Sequence, residues 1–352
     1  MIKDFDRLLV RFRQFGGWRL LVQYARMGVL GTGIWEILRC VLRRQSMKQV
    51  YPKITRKVGE ILLEKYKAPS PLPLWGSASE REEIAPETSP RSQSGLLPQK
   101  GKDGEARKGL GDKRGAPIWF SWLQGLESAP PLVHACLRSL RSLPDAEVVV
   151  INRDNYQDYV EFPPHILEKY RKGRIPHATM SDMLRLALLA RYGGVWIDAT
   201  VLATYREEHA AFWQGIRQSP LFFYRYFSGG RVVGISTWFI AARAGNPIVM
   251  ETLQQMYAYW KDYDCLVDYY LIHLFLGASA GRHPESAGTM PRGNSRHALL
   301  LAGSLEKPYD AAAWDDLTTH VPFHKLSYRH TAKAQARSDS YYNHILSFHT
   351  GE

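Results

Sequence analysis

"SDMLRLALLARYGGVWIDATVL", residues 181–202, begins as a helix, stops at two glycines and leaves as a strand that carries one carboxylate. Ser181 has the chemistry of a helix N-cap, and Asp182 just behind it suits the positive end of the helix dipole. Leu184, Leu188 and Leu189 recur at helical spacing and supply a face to cover a sheet. Asp182 and Arg185 stand three apart and share one helical face, either as a surface ion pair or as two groups gripping a common ligand. Gly193 and Gly194 end the helix and permit a sharp reversal. Strand period then puts Val195, Ile197, Ala199 and Val201 on one side and Trp196, Asp198, Thr200 and Leu202 on the other. An ionised Asp198 among such neighbours is costly unless it is paired or faces a ligand. Either the strand ends at a cleft near Asp198, or a basic residue from elsewhere in the chain neutralises it.

Outward from this stretch, strands and helices alternate. "APIWFSWLQG" reads as a strand and turn, "PPLVHACLRSLRSLP" as a helix, "AEVVVIN" as a buried strand and "PHILEKYRKG" as a helix. After it, "LFFYRYF", "VGISTWFIAAR" and "NPIVMETLQQMYAYWKDY" read as strand, strand and helix. The fold class expected is α/β, a mostly parallel open sheet with a ligand at one edge. The biased stretch from Leu276 to Leu300 reads as an insertion or long loop. Residues 118–352 form the expected main domain. Residues 68–117, rich in Pro, Ser, Gly and charge, read as a flexible linker. Residues 1–67 read as a basic helical segment.

The net charge of +12 suggests nucleic acid until it is located. Residues 1–67 hold fifteen Lys and Arg against five Asp and Glu, so nearly all the excess lies there. No nucleic-acid-binding motif accompanies it, and a nucleic-acid partner is not expected. Basic residues alternating with Leu, Val, Ile, Phe and Trp suit either an interfacial helix on anionic lipid or a helical pair packed on the main domain. Arg19, Arg26, Glu36 and Arg39 interrupt the most apolar early stretch, and neither a signal peptide nor a membrane span is expected. Cys40, Cys136 and Cys265 show no metal-ligand spacing and fit a reducing cytoplasm.

"HATMSDMLRLALLARYGGVWIDATVL" resembles the motif of the capsular polysaccharide synthesis family and, more distantly, of glycosyltransferases with a DxD sugar-binding motif, the family 32-like class. "IWFSWLQG", "STWFIAARAGNPIV" and "VPFHKLSY" extend the likeness from about Ala116 to Glu352. The resemblance implies a GT-A nucleotide-sugar-binding domain that moves a sugar from a donor, a UDP-sugar foremost, to a hydroxyl of a cell-surface polysaccharide or lipid-linked glycan, with retention. Ser181, Asp182 and Arg185 would then bind the donor sugar, Asp198 would be the first carboxylate of the DxD, and Gly193 and Gly194 would turn beneath the diphosphate. A divalent cation, Mn²⁺ or Mg²⁺, held by Asp198 would offset the charge of the leaving diphosphate. Thr200 stands where distant relatives place the second Asp, which weakens direct metal binding and leaves an inactive sugar-nucleotide-binding or glycan-binding protein as the alternative. The place implied is the cytoplasm, peripheral to the inner face of the membrane.

Trp119 and Trp122 differ in strand parity, so one belongs to the core and the other is exposed. By the resemblance one of them, Trp119 first, stacks on the donor base, with core packing as the alternative. Asn152 ends a strand, either at the ligand or as a turn former. By the same resemblance His349 and His344 are candidates to close the metal site, with surface imidazoles as the alternative. Asp268 either faces the acceptor or caps and pairs with a buried hydroxyl.

Overall fold

The computed structural model describes residues 18–35, 47–67, 116–226, 234–287, 290–328 and 332–348. The linker expected at 68–117 lies outside the described residues as far as 115, and so does His349. Five strands form the main sheet: β1 (Ile118–Ser121), β2 (Val148–Ile151), β3 (Gly194–Ile197), β5 (Leu221–Arg225) and β6 (Ile235–Ala242), in the order β2-β1-β3-β6-β5. β1 is parallel to both β2 and β3, whereas β6 is antiparallel to β3 and to β5. The sheet is thus mixed, not mostly parallel as expected. The physical reason lies in the connections: helices separate β1, β2 and β3, but no helix among the described residues intervenes between β5 and β6, so the chain returns antiparallel.

Period two divides the core across this sheet. Trp119, Trp196, Phe223 and Ile240 face a layer built from α5 (His177–Tyr192), α7 (Pro247–Asp262) and α8 (Leu271–Arg282). Ile118, Phe120, Val195, Ile197 and Phe239 face α3 (Pro131–Arg141) and α6 (Ala210–Gln218). Helices flank both faces, and every residue of α5 from Met183 to Ala190 is buried, as suits a helix at the centre of a domain. The helix starts at His177, four residues before the cap expected at Ser181, because Pro176 supplies the extended residue before the first turn. A third cluster gathers Cys136 of α3 with α9 (Ala311–His320) and α10 (Tyr341–Ser347).

The basic N-terminal helices pack on this body. α1 (Trp18–Arg26) buries Leu20 and Tyr24, and α2 (Met47–Lys65) contributes Val58 and Leu62 to the core shared with α7 and α8. Gln23 Nε2 donates to Tyr259 Oη at 3.0 Å, and Tyr24 Oη donates to the Val267 carbonyl at 3.0 Å. The expected loop from Leu276 is helical through Arg282. Further on it packs on the β5 edge, where Arg225 N donates to the Gly293 carbonyl at 2.9 Å. No helix among the described residues is long and apolar enough to cross a membrane.

Candidate active site

The strand expected to run to Leu202 breaks at Asp198. β3 ends at Ile197, Val201 N donates to the Asp198 carbonyl at 3.0 Å to close a turn, and the chain leaves the main sheet. It continues as β4 (Val201–Ala203) in a separate two-stranded sheet, antiparallel to β7 (Phe323–Lys325) with Val201 opposite Lys325. Asp198 therefore sits at the carboxyl end of a central strand, at the edge where β1 and β2 also end and where ligands meet α/β sheets. The Asp198 N–H donates to the Trp238 carbonyl at 2.9 Å, which fixes the turn to β6.

Four charged side chains converge there. Arg185 Nη2 lies 3.1 Å from Asp182 Oδ1 and 3.3 Å from Asp198 Oδ1, its Nη1 donates to the Thr237 carbonyl, and its guanidinium lies over the Trp196 ring at 5.1 Å. Trp196 Nε1 donates to Asp198 Oδ1 at 2.9 Å, and Lys325 Nζ donates to Asp198 Oδ2 and Thr200 Oγ1, each at 2.8 Å. The Arg185 side chain is only 7% exposed, against 18% for Asp182 and 23% for Asp198, so the cation is the hidden centre and the carboxylates face outward. Burial pushes the Asp198 carboxyl up, but Lys325 and Arg185 together outweigh it and hold the group below the usual carboxylate range. Asp182 has Arg185 alone, and burial with the nearby Asp198 charge pushes it up to about 6.

The rim is aromatic and polar. Tyr269, 55% exposed, has its phenol pushed up by partial burial and by the carboxylates of Asp182 and Asp198. Burial, with Arg185 beside it, pushes the His273 imidazole down to about 3, so it is neutral, and its Nε2 stands 3.3 Å from Thr237 Oγ1. Ser121 Oγ, the indole nitrogens of Trp122 and Trp238, and Tyr224 Oη are buried near these strand ends without a hydrogen-bond partner. Leaving such a donor unpaired costs about 1–3 kcal/mol, which a polar ligand would relieve.

The structure thus brings Asp182, Arg185, Asp198 and Thr200 together, with Ser181 half-buried on the same helix. It separates others from them. Gly193 and Gly194 turn at the opposite end of β3, about 13 Å of strand away from Asp198. There a Cβ on Gly194 would lie 2.4 Å from the Pro117 carbonyl oxygen and one on Gly193 2.6 Å from Ala244 N, so these glycines serve the close approach of the turn to the neighbouring strands β1 and β6. Trp119 is fully buried, donates to the Gly193 carbonyl at 2.8 Å and packs against Tyr159 and Tyr192. Trp122 lies just beyond β1, half-buried and edge-on to Tyr328 at 5.5 Å. Asn152 forms a side-chain turn, accepting from Asp154 N at 2.8 Å. His344 stacks on Tyr309 at 3.8 Å in the third cluster. Asp268 accepts from Thr55 Oγ1 at 2.5 Å and Tyr270 N at 2.7 Å, the capping and pairing role.

Lys325 and His273 escaped the sequence reading. Lys325 does have a signal: it shares strand parity with Val321 and Phe323, both buried, so a cation was headed for an apolar face. A sequence separation of 127 positions from Asp198 hid its partner. No group of three or more His, Cys, Asp and Glu able to hold a metal occurs among the described residues. Both Asp198 oxygens are already taken by cationic or N–H donors, and this donor set does not fit a divalent ion.

A family model described as capsular polysaccharide synthesis protein matches residues 97–345, well over half of the chain. O-glycosyltransferase braB of Annulohypoxylon truncatum is 30% identical over 162 residues, covering 41% of this chain and 37% of the relative's own length. The solved structure of PaToxG glycosyltransferase is similar with a TM-score of 0.36 and 13% identity, over 49% of this chain and 70% of that one. The strand-end cluster at Asp198 and the reach of the family match lead to one assignment: the chain belongs to the capsular polysaccharide synthesis protein family.

Proposed function

We propose that this protein is a glycosyltransferase that moves a sugar from a nucleotide-sugar donor, a UDP-sugar foremost, to a hydroxyl of a cell-surface polysaccharide or lipid-linked glycan, with retention. The observation that carries this reading is the Asp182–Arg185–Asp198 cluster at the carboxyl ends of the parallel strands. Its carboxylates suit sugar hydroxyls as acceptors, and the positive charge beside Asp198, with Lys325 22% exposed, suits phosphate oxygens. In the reaction the acceptor oxygen bonds to the anomeric carbon while the bond from that carbon to the diphosphate oxygen breaks. The electron pair and the hydroxyl proton both end on the departing diphosphate. Fixed positive charge at that point favours the transition state over the bound donor.

The alternative, a protein that binds sugar nucleotides without turnover, draws support from the same cluster, because Thr200 leaves Asp198 as the one carboxylate of the turn. Incubating the full chain with a panel of nucleotide sugars and measuring nucleoside diphosphate release separates the two. Release above background supports the enzyme, and saturable binding with no release supports the binder. The place of action proposed is the inner membrane face. Trp18 and Trp35 are 78% and 62% exposed on the N-terminal segment, beside exposed Arg19 and Arg26, which suits an anionic surface.

A further inference from the structure

A divalent ion at a strand end needs two or more carboxylates to balance it, whereas an ammonium needs one. The turn after β3 offers one carboxylate and one hydroxyl, Asp198 and Thr200, and Lys325 Nζ stands 2.8 Å from each. One acidic group and one unit of positive charge are therefore both missing relative to a metal site, and the local charge stays matched. The pairing is built in: Val201 is opposite Lys325 in register, and Leu326 N donates to the Thr200 carbonyl at 2.8 Å. An ammonium has three donor directions. Two go to Asp198 and Thr200, and the third remains on a side chain that is 22% exposed. A metal ion placed between the same two oxygens would meet the ammonium head-on, and Asp198 Oδ1 is held by Trp196 and Arg185.

We propose that Lys325 is the cation of this site: its ammonium, seated on Asp198 and Thr200, receives the diphosphate of the nucleotide sugar, and no divalent ion is required. The inference rests on the glycosyltransferase reading and names how that site holds the donor's phosphates. Lys325 is thereby a substrate-binding residue of the transfer.

Calorimetric titration of the full chain with UDP, GDP, CDP and ADP, in excess EDTA and again with Mn²⁺, tests it. The proposal expects the tightest of these to bind within about threefold in the two conditions. Mn²⁺ alone, followed by its paramagnetic resonance, should show no stoichiometric site. Lys325→Met should weaken diphosphate binding about tenfold or more, Lys325→Arg should restore most of it, and neither should gain from Mn²⁺. Melting curves establish that the variants fold. Should Lys325→Met fail to fold, the wild-type comparison still decides. Binding that appears only with Mn²⁺ overturns the role of Lys325 and leaves the transferase reading standing. Absence of binding by all four nucleotides in both conditions overturns both.

Discussion

Asp198 is held by three donors from three elements, so its substitution has consequences for stability and for chemistry that separate cleanly. Asp198→Asn keeps the size but leaves Arg185 to Asp182 alone and Lys325 without a carboxylate. Breaking a buried pair costs about 3–5 kcal/mol, and the partial exposure of Asp198 and Lys325 places this case at or below about 3. Sugar transfer should fall about 10²-fold or more, since the lysine that meets the diphosphate loses its seat. Near-wild-type transfer by a folded Asp198→Asn protein would remove Asp198 from the site. Asp182 behaves oppositely. Its carboxyl is pushed up to about 6 in the fold from an ordinary value of 3.8, so the native state binds the extra proton between those pH values. This group's contribution to stability therefore declines as pH rises from 4 to 6, by about 3 kcal/mol at most, and stays lost above. Asp182→Asn should melt higher than wild type at pH 7, with the difference shrinking toward pH 4. A constant difference across that range would contradict a buried, weakly compensated Asp182.

At the scale of elements, the helix-turn-strand needs both glycines for packing, whatever the ligand. Gly194 has φ of +98°, and a Cβ there meets the Pro117 carbonyl at 2.4 Å and Trp119 Nε1 at 3.1 Å. Gly194→Ala should lose at least about 2 kcal/mol in urea unfolding. Gly281→Ala, in the last turn of α8 with no atom within 4 Å, should be neutral or slightly stabilising. Equal stabilities for the two variants would refute the close approach of β3 to the start of β1. This element was legible because its signals are local: period 3.6, a glycine pair, then period two. The flanking elements β1, α3, β2, α4 (Pro164–Arg171), β5, β6 and α7 are legible for the same reason. Strand direction was not, since "LFFYR" and "STWFIAA" look alike whether parallel or antiparallel, and only the connection between them decides. The break at Asp198 was hidden because Val201 to Ala203 continue the apolar run while pairing with another sheet. In the site, Asp182 and Arg185 share a helix face and could be joined from the chain, but Lys325 reaches Asp198 only through β4–β7 pairing.

At the scale of the whole molecule, the N-terminal charge and the core cannot be pulled apart. Leu20, Tyr24, Val58, Leu62 and Tyr66 are buried in the same cluster as α7 and α8, so deleting residues 1–67 would uncover apolar surface and test packing, not membrane contact. Point changes on the outer face answer the question. Trp18 and Val22 stand four apart on α1, exposed at 78% and 53%, on the side away from buried Leu20, Gln23 and Tyr24. Arg19 and Arg26 are exposed on the same short helix, and Ile34 and Trp35 are exposed further along. A helix clamped on one face and apolar-basic on the other supports the proposed contact with an anionic bilayer. The full chain should sediment with vesicles containing phosphatidylglycerol, less so as salt rises, and far less with neutral vesicles. Trp18→Ser with Trp35→Ser should weaken that binding about tenfold or more, because each indole gives up its burial in the interface. Donor hydrolysis in solution should stay unchanged, since neither tryptophan belongs to the Asp198 cluster. Equal binding to neutral and anionic vesicles, or no loss in the double variant, would reduce α1 and its neighbours to a packed helical cover with a solvated basic face.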